Sequence, residues 1–376
     1  MNDPHVRNLA RLLVAYSIKV QPGDRVSVGC YGSIVAAMPF CVEVVREVLR
    51  AGGHPHFQLD QVATEEIGNV FFAEASPEQI AHVDPFAETV AKEFQCEVVF
   101  LCEANSRRFS RVDPERRVAR SRAYSRVTET YFDRAGKGEL RWVLVGLPTP
   151  SYAQDAEMGL EEYEDFVYGA AFADTEDPVS AWEAIGRKQA GIAEWLSGKK
   201  HFQARGRHVD LSFSIEGRKF ISDHGQSNMP GGEIFTGPVE GTVNGWLKST
   251  YPAIHGGVDV GRVSLRFENG VVVHAEAEKN EAHLIKLLET DEGAKRLGEV
   301  GIGTNDRIKI FTSNMLFDEK MAGTIHAAIG LGYPETGSAN RSAIHWDFLC
   351  DMKDGGQIIV DDELFYDSGE FLVVEA

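Results

Sequence analysis

The N-terminal half of the chain alternates between helix-spaced apolar residues and short apolar runs. Residues 5–17 and 34–50 carry apolar side chains three and four positions apart, which predicts two helices with one buried face. The short runs predict strands, and they occupy residues 25–29, 56–59, 96–102 and 142–147. Strands and helices that alternate in this way form βαβ units, so we expect a mostly parallel sheet covered by helices.

The C-terminal half has a different pattern, with short runs of alternating apolar and polar residues between glycine turns. Such runs predict antiparallel strands, and they cover residues 209–215, 258–267 and 271–275. One helix is predicted at residues 281–297, and a hairpin is predicted at the C-terminus between residues 357 and 374.

The segment between the halves, residues 148–198, is helical in pattern and acidic, so we place a domain boundary near Gly198. A chain of 376 residues is long enough for two cores. The predicted fold class is α/β, with an N-terminal α/β domain at residues 1–197 and a C-terminal α+β domain at residues 198–376.

Charge and cysteine content limit which binding partners and which cellular compartment we expect. The formal net charge of -19 argues against nucleic acid or an anionic membrane as a partner, because both would repel the protein. The five cysteines form no CxxC pair, which fits a reducing compartment. Since we find neither a signal-peptide pattern nor a long apolar segment, we expect a cytoplasmic protein.

A histidine and a carboxylate stand two positions apart in an apolar stretch near the C-terminus. His345 and Asp347 lie within residues 342–348, which predict a buried strand, and side chains two apart on a strand point to the same face. This pair alone would more often be a hydrogen-bonded core pair than a metal site. His326, Glu299 and Glu319 shift the balance, because buried charges are usually paired or bound to metal.

The other candidate residues are ambiguous one by one. Glu233 follows two glycines, and Glu299 is flanked by glycines at the end of the predicted helix, so each could be a turn residue. His326 is predicted on an apolar helix, with Tyr333 two turns further on the same face. Together, two histidines and at least three carboxylates without a thiolate suit zinc, cobalt or manganese, and can supply two metal sites.

Several distinctive segments are spread over nearly the whole chain. They are residues 9–14, 20–24, 152–156, Met229-Pro230-Gly231-Gly232-Glu233, Gly298-Glu299, Phe317-Asp318-Glu319, His326 with Tyr333, and His345-Trp346-Asp347. In these segments the chain resembles peptidase family M29, the thermophilic metalloaminopeptidases that include aminopeptidases T and S. The resemblance implies an N-terminal α/β domain and a C-terminal metal-binding domain that forms a homodimer around an internal cavity.

The resemblance also implies a set of site residues. Two divalent metal ions would be bound by five residues, Glu233, Glu299, His326, His345 and Asp347. Tyr333 corresponds to a tyrosine near the metals. Glu319 corresponds to a further glutamate, with a longer spacing to His326 than in characterised members, and it is our candidate for the general base. The implied function is a metal-dependent aminopeptidase that acts on small peptides through a metal-activated water.

Two other functions remain open at this point. The 2,5-dihydroxypyridine dioxygenases are similar to this family and bind one ferrous iron through two histidines and one carboxylate. In that branch a histidine replaces Glu299 and an apolar residue replaces Glu233, whereas this chain has both glutamates. A non-catalytic ligand-binding relative is the other alternative, and the presence of Tyr333 and Glu319 beside all five ligands argues against it.

Overall fold

The computed structural model describes residues 3–58 and 64–373, which form two compact units. One unit comprises Met1–Trp182 with Gly225–Gly231, and the other comprises Glu183–His224 with Gly232–Ala376. The predicted domains, residues 1–197 and 198–376, stay a prediction.

The first unit contains a five-stranded sheet in which every neighbouring pair is parallel, in the order β2-β1-β3-β4-β8. The strands, numbered along the whole chain, are β1 (Arg25–Gly32), β2 (His54–Gln58), β3 (Cys96–Cys102), β4 (Arg141–Gly146) and β8 (Asn228–Met229). This arrangement confirms the predicted mostly parallel sheet.

The helices of this part of the chain begin with a recurring local signal. They are α1 (Pro4–Leu12), α2 (Ile34–Arg50), α3 (Glu65–Glu74), α4 (Pro77–Ala81), α5 (Pro85–Glu93), α6 (Pro114–Gly136), α7 (Pro150–Asp155), α8 (Leu160–Ala170) and α9 (Pro178–Leu196). Five of them start with proline after a capping Asp, Ser or Thr whose side chain accepts a backbone N–H. Proline suits the first helical position, because its missing N–H would have no partner there.

Most of the predicted elements of the first unit are confirmed. The predicted helix at residues 34–50 and the strand at residues 96–102 match α2 and β3 at both ends. The first helix continues past α1 as a π-helical turn, Leu13–Ser17. Leu59, the last residue of one predicted strand, lies outside the described residues.

The second unit is built from antiparallel sheets. The larger sheet has the order β14-β13-β10-β6-β5-β18-β19-β20, a smaller one has the order β17-β16-β15-β9-β7, and β11 pairs with β12. The strands are β5 (His201–Gly206), β6 (Val209–Ser214), β7 (Ile221–Asp223), β9 (Glu233–Thr236), β10 (Asn244–Lys248), β11 (Ala253–His255), β12 (Val258–Val260), β13 (Val263–Glu268), β14 (Val271–Ala277), β15 (Leu297–Gly303), β16 (Thr324–Gly330), β17 (His345–Asp351), β18 (Gln357–Val360), β19 (Glu363–Asp367) and β20 (Glu370–Phe371).

Two helices, α10 (Glu281–Leu288) and α11 (Met315–Asp318), accompany these sheets. One contiguous apolar core includes residues of both larger sheets, such as Phe213, Leu265 and Phe348. A parallel sheet with helices followed by antiparallel sheets confirms the predicted fold class.

Three predicted elements of the second unit differ from the structure. The helix predicted at residues 281–297 ends at Leu288, and Leu297 already begins β15. Gly293 lies inside the predicted span and begins a short 3-10 turn there, and a glycine costs roughly 1 kcal/mol in a helix interior. The run at residues 258–267 is two strands, β12 and β13. The C-terminal hairpin has three strands, and Val374 lies outside the described residues.

The predicted helix around His326 is wrong, because Thr324–Gly330 is strand β16. Every residue of this strand is buried, so both of its faces are covered, and its mostly small and apolar residues show no clear alternation. A short apolar run of this kind does not distinguish a strand from a helix by periodicity. Tyr333 therefore lies in the loop after β16, not on the same helix as His326.

Among the described residues, no helix combines the length and the apolar composition that a membrane span requires.

Candidate metal centre

Four neighbouring strands bring the five predicted ligands to one face of the smaller sheet. Glu233 begins β9, Glu299 lies on β15, His326 lies on β16, and His345 and Asp347 lie on β17. In the strand register, Glu233 is opposite Gly303, His326 is opposite Gly301, and Asp347 is opposite Ala328. Opposite residues share a face, and so do residues two apart along a strand. The pleat of the sheet therefore points all five side chains the same way.

Glycine at position 301 makes room for the imidazole of His326. A Cβ atom at Gly301 would lie 2.1 Å from His326 Nε2, which is far inside any allowed contact. Gly303, on the same face, is equally tight, because its Cβ would lie 2.0 Å from the carbonyl oxygen of Met321. The glycines that suggested a turn in the sequence thus open a hollow on the face of a strand.

Glu233, Glu299 and His326 form the centre of the cluster. Each offers one potential ligand atom, and the three atoms lie within 4.8 Å of one another. His326 Nε2 is 3.0 Å from Glu233 Oε2 and 3.2 Å from Glu299 Oε1. All three residues are buried. Two carboxylates and one imidazole nitrogen at this spacing suit a divalent cation.

His345 and Asp347 extend the cluster on the β17 side. His345 Nε2 lies 3.6 Å from Glu299 Oε2 and 3.5 Å from Asp347 Oδ2. Its other ring nitrogen, Nδ1, is 2.9 Å from the carbonyl oxygen of Leu331. Because a carbonyl only accepts, Nδ1 carries a proton and Nε2 faces the carboxylates. This orientation is the usual one for a metal-binding histidine. Burial would lower the pKa of His345, but Asp347 and Glu299 outweigh burial and raise it, so a metal ion bound at Nε2 would take the place of a proton.

One oxygen of Asp347 gives a further reason to expect a metal ion at this cluster. Asp347 Oδ1 is buried, and within the part of the chain that the structure describes it accepts no hydrogen bond. A buried carboxylate oxygen without a donor is costly, and such atoms are usually paired or metal-bound. An oxygen with no partner, next to oriented imidazole nitrogens, is what a metal site requires.

Lys320 belongs to the same cluster, although no pattern in the sequence pointed to it. Its ammonium Nζ lies 2.7 Å from Glu233 Oε1 and 3.5 Å from Asp223 Oδ2, and it also contacts Glu319 Oε1. The side chain is fully buried. Lysine is almost never fully buried unless it is paired, so sequence reasoning assigns it to the surface by default.

The mutual charges of the cluster shift its pKa values. Burial alone would raise the pKa of Glu233, but Lys320 and His326 outweigh burial and lower it to about 2. Burial raises the pKa of Glu319 to about 8, with Lys320 opposing that shift. Burial would lower the pKa of Lys320, but the carboxylates of Glu233, Glu319 and Asp223 hold it well above its usual range. The cluster therefore balances several buried carboxylates against one buried ammonium.

Tyr333 lies beside the cluster, in the loop between β16 and β17. Its ring centroid is 5.4 Å from that of His345 and 5.4 Å from that of Phe235. Tyr333 is 40% exposed as a whole, but the groups packed around it desolvate the phenol and raise its pKa, and nearby carboxylates such as Glu299 raise it further. The hydroxyl thus stays protonated and is available as a hydrogen-bond donor.

The structure therefore brings all seven predicted site residues into one region of the second unit. Glu233, Glu299 and His326 meet directly, His345 and Asp347 adjoin Glu299, Glu319 joins through Lys320, and Tyr333 joins through the ring of His345. Their individual roles as ligands or catalytic groups stay predictions.

Comparison with known proteins agrees with this site. The model of the thermophilic metalloprotease family M29 matches residues 2–371. Aminopeptidase 2 of Geobacillus stearothermophilus is 28% identical, over 92% of this chain and 91% of its own. Aminopeptidase T of Thermus thermophilus is 32% identical, over 55% of this chain and 59% of its own.

A solved structure, wild-type AmpT from Thermus thermophilus, has the same fold with a TM-score of 0.83. It is 22% identical in sequence, and the match covers 98% of this chain and 99% of that one. The family match spans nearly the whole chain and includes every residue of the buried cluster. This chain belongs to the M29 family of thermophilic metalloproteases.

Proposed function

We propose that this protein is an aminopeptidase that uses two divalent metal ions to release N-terminal amino acids from small peptides. Membership of a metalloprotease family supports metal-dependent peptide hydrolysis, and the names of the relatives support action at the N-terminus. The observation that carries the proposal is the convergence of buried Glu233, Glu299 and His326 within 4.8 Å.

The charge of the cluster supports two metal ions instead of one. Its five carboxylates belong to Asp223, Glu233, Glu299, Glu319 and Asp347, and its buried cation is Lys320. Counted with all five carboxylates ionised and both histidines neutral, as metal binding would require, the formal charge is about -4, which two divalent ions would neutralise. Glu233, Glu299, His326, His345 and Asp347 would hold these ions, and their oxygen and nitrogen donors suit zinc, cobalt or manganese.

The metal ions, when bound, would supply Lewis-acid activation of a water and polarisation of the scissile carbonyl. Glu319 would act as the general base, and the position of its carboxylate in the cluster, in contact with Lys320, supports this role. The Tyr333 hydroxyl would donate a hydrogen bond to the oxyanion that develops on the carbonyl oxygen. A carboxylate of the cluster would pair with the free amino terminus of the peptide.

The activity is tested with pairs of small peptides that differ only in an acetyl group on the N-terminus. We expect the metal-loaded protein to release the first amino acid from each unblocked peptide and to leave the acetylated partner intact. Chelation should abolish the release, and zinc, cobalt or manganese should restore it. A metal-replete protein that cleaves none of a broad unblocked panel would refute the proposal, and so would equal cleavage of the acetylated peptides.

Glu299→His separates the peptidase from the ring-cleaving dioxygenases, which resemble the family but have histidine at this position. We expect the variant to lose two-metal binding and peptide hydrolysis, because a carboxylate that offsets metal charge is gone. Metal content by elemental analysis and peptide cleavage are measured on the same sample. Unchanged cleavage would show that Glu299 is not a ligand, and one iron per chain in the unaltered protein would favour the dioxygenase.

The non-catalytic relative would be favoured by tight binding of a small metabolite without any hydrolysis. The homodimer and the cytoplasmic location stay predictions from the sequence.

A further inference from the structure

The loop that carries Tyr333 is held by an ion pair that lies outside the metal cluster. Arg218 Nη2 lies 2.6 Å from Glu240 Oε2, and the two side chains are 8% and 24% exposed. Glu240 Oε1 accepts the backbone N–H of Ala339 at 2.6 Å and the hydroxyl of Ser338 at 3.4 Å. The carboxylate of Glu240 thus joins Arg218 to the far end of the loop.

Arg218 is itself fixed to the framework of the second unit. The same Nη2 atom donates to the carbonyl oxygen of Pro238 at 3.2 Å. The next residue, Lys219, donates its backbone N–H to the carbonyl oxygen of Thr336 at 3.0 Å. Its own carbonyl accepts the hydroxyl of Thr236, a residue of β9, at 2.8 Å. The segment around Arg218 therefore ties the loop to the strand that begins with Glu233.

Within the loop, hydrogen bonds connect these anchors to Tyr333. The Thr336 hydroxyl donates to the Tyr333 carbonyl at 2.7 Å, and the Thr336 N–H donates to the same oxygen at 3.1 Å. Ser338 N–H donates back to the Thr336 hydroxyl at 3.3 Å. The contacts run without a break from Glu240 through Ser338 and Thr336 to the backbone of Tyr333.

Close packing leaves this loop few alternative positions. A Cβ at Gly332 would lie 2.0 Å from Ser338 Oγ, and a Cβ at Gly237 would lie 2.7 Å from Ser338 Cβ. Gly337 has φ +90°, a left-handed conformation that strains other residues. Gly332 lets the loop fold back against Ser338, and Gly237 lets Ser338 pack against the segment that follows β9.

From these contacts we infer that Arg218 and Glu240 are positioning residues, which hold the Tyr333 hydroxyl where the proposed reaction needs it. The inference rests on the proposed role of Tyr333 as a donor to the oxyanion. Neither residue belongs to the metal cluster. A partly buried charge-assisted pair suits this task, because breaking it leaves a poorly compensated charge and its geometry is directional. A misplacement of about 1 Å at a catalytic group can cost on the order of 100-fold in rate.

The test is a double-mutant cycle that combines Glu240→Gln with Tyr333→Phe. Tyr333→Phe alone should lower kcat by about 100–1,000-fold, the usual cost of one oxyanion donor. Glu240→Gln alone should lower kcat roughly 10-fold or more through misplacement of Tyr333, with metal content unchanged. In the Tyr333→Phe background, Glu240→Gln should cause less than about a twofold further loss, because the group it positions is already absent.

Matched variants separate positioning from general stability. Glu268→Gln breaks the exposed Arg266–Glu268 pair and should leave kcat unchanged. Arg218→Lys keeps the charge but loses the guanidinium geometry, so it should lower kcat in the Tyr333-containing protein and not in the Tyr333→Phe variant. It replaces Glu240→Gln in the test if that variant does not fold. Melting temperature is measured alongside, because a merely structural pair would lower stability while kcat per folded molecule stays the same.

Equal losses in both backgrounds, or no loss in the Tyr333-containing protein, would overturn the inference. A different result would contradict the proposed role of Tyr333, and absence of any peptide hydrolysis by the unaltered protein would contradict the proposed function itself. If Tyr333→Phe itself keeps full kcat while the protein still hydrolyses peptides, Tyr333 is not the oxyanion donor, and the positioning role fails with it. Failure of the inference alone leaves the Tyr333→Phe loss intact, so the two failures are distinguishable.

Discussion

Two carboxylates inside the fold, the partly buried Glu97 in the first unit and the buried Glu233 in the second, differ in the groups that surround them. Glu97 lies on β3 of the parallel sheet, where burial raises its pKa and only the hydroxyls of Tyr131 and Ser27 oppose the shift among the groups that act on it. Glu233 lies on β9, where burial acts in the same direction but Lys320 and His326 lower its pKa to about 2. The same side chain is thus driven toward the neutral form in one unit and toward the charged form in the other.

The difference shows how each unit treats buried charge. Strand β3 alternates buried and partly buried residues, and its fully buried positions are apolar or cysteine. Strands β15 and β16 are buried at every position and yet carry Glu299 and His326. Buried charge is tolerated where opposite charges converge, and it is costly elsewhere. The second unit concentrates this cost at one place, which is the usual mark of a functional site.

The largest expected effect comes from removing one of the five proposed metal ligands of the second unit, because the remaining four would bind the metal less tightly. We expect Asp347→Ala to weaken metal binding by more than about 100-fold, since loss of an outer-shell partner already costs about 10–100-fold. Asp351→Ala is the control, because it changes the same residue type on the same strand outside the cluster. Metal affinity is measured by competition with a chelating dye, and full occupancy of the Asp347 variant would exclude Asp347 as a ligand.

Lys320→Met tests whether the buried ammonium is what allows the second unit to bury its carboxylates. Removing one partner of a buried ion pair typically costs about 3–5 kcal/mol, because the remaining charge is left uncompensated. We expect a loss of this size in the free energy of unfolding of the chelator-treated protein. Lys279→Met, which breaks the exposed pair with Asp259, should change stability little. If the Lys320 variant is as stable as its parent in urea, Lys320 does not balance the cluster.

The first unit was the easier to predict, because its signals are local. Helical spacing of apolar residues defined residues 34–50, and a short apolar run defined residues 96–102. Both depend on neighbours within a few positions. The order of strands and helices then predicted a parallel sheet.

In the second unit the structure brings the predicted site residues together, whereas the predicted local structure around His326 and Glu299 was wrong. His326 and Glu299 were selected because histidines and acids in apolar surroundings need partners, and that reasoning does not depend on the element that carries them. The element was wrong because β16 has two buried faces and β15 is rich in glycine. Lys320 escaped notice since its main partner, Glu233, is 87 residues away in the sequence.

Val98→Ala tests the apolar core of the parallel sheet in the first unit. Val98 is fully buried in the middle of β3, between the neighbouring strands β1 and β4. Removing two methyl groups should lower the free energy of unfolding by about 2 kcal/mol, from the lost burial and the cavity left behind. We expect metal content and kcat per folded molecule to stay unchanged. A loss of metal in this variant would contradict the view that packing in the first unit does not affect metal binding in the second.

The smallest effect, and the one of opposite sign, is expected from Glu97→Gln. The folded protein raises the pKa of Glu97 above its ordinary value of 4.5, so the folded state binds this proton more tightly than the unfolded state does. Ionised Glu97 therefore lowers stability as pH rises above 4.5, and the penalty disappears below it. Glu97→Gln should raise the free energy of unfolding at neutral pH, and the gain should shrink as pH falls toward that value. Urea titrations at both pH values measure it, with exposed Glu129→Gln as the control. A variant less stable than its parent at neutral pH would mean that the hydrogen bonds from Tyr131 and Ser27 outweigh burial, as Lys320 and His326 do for Glu233.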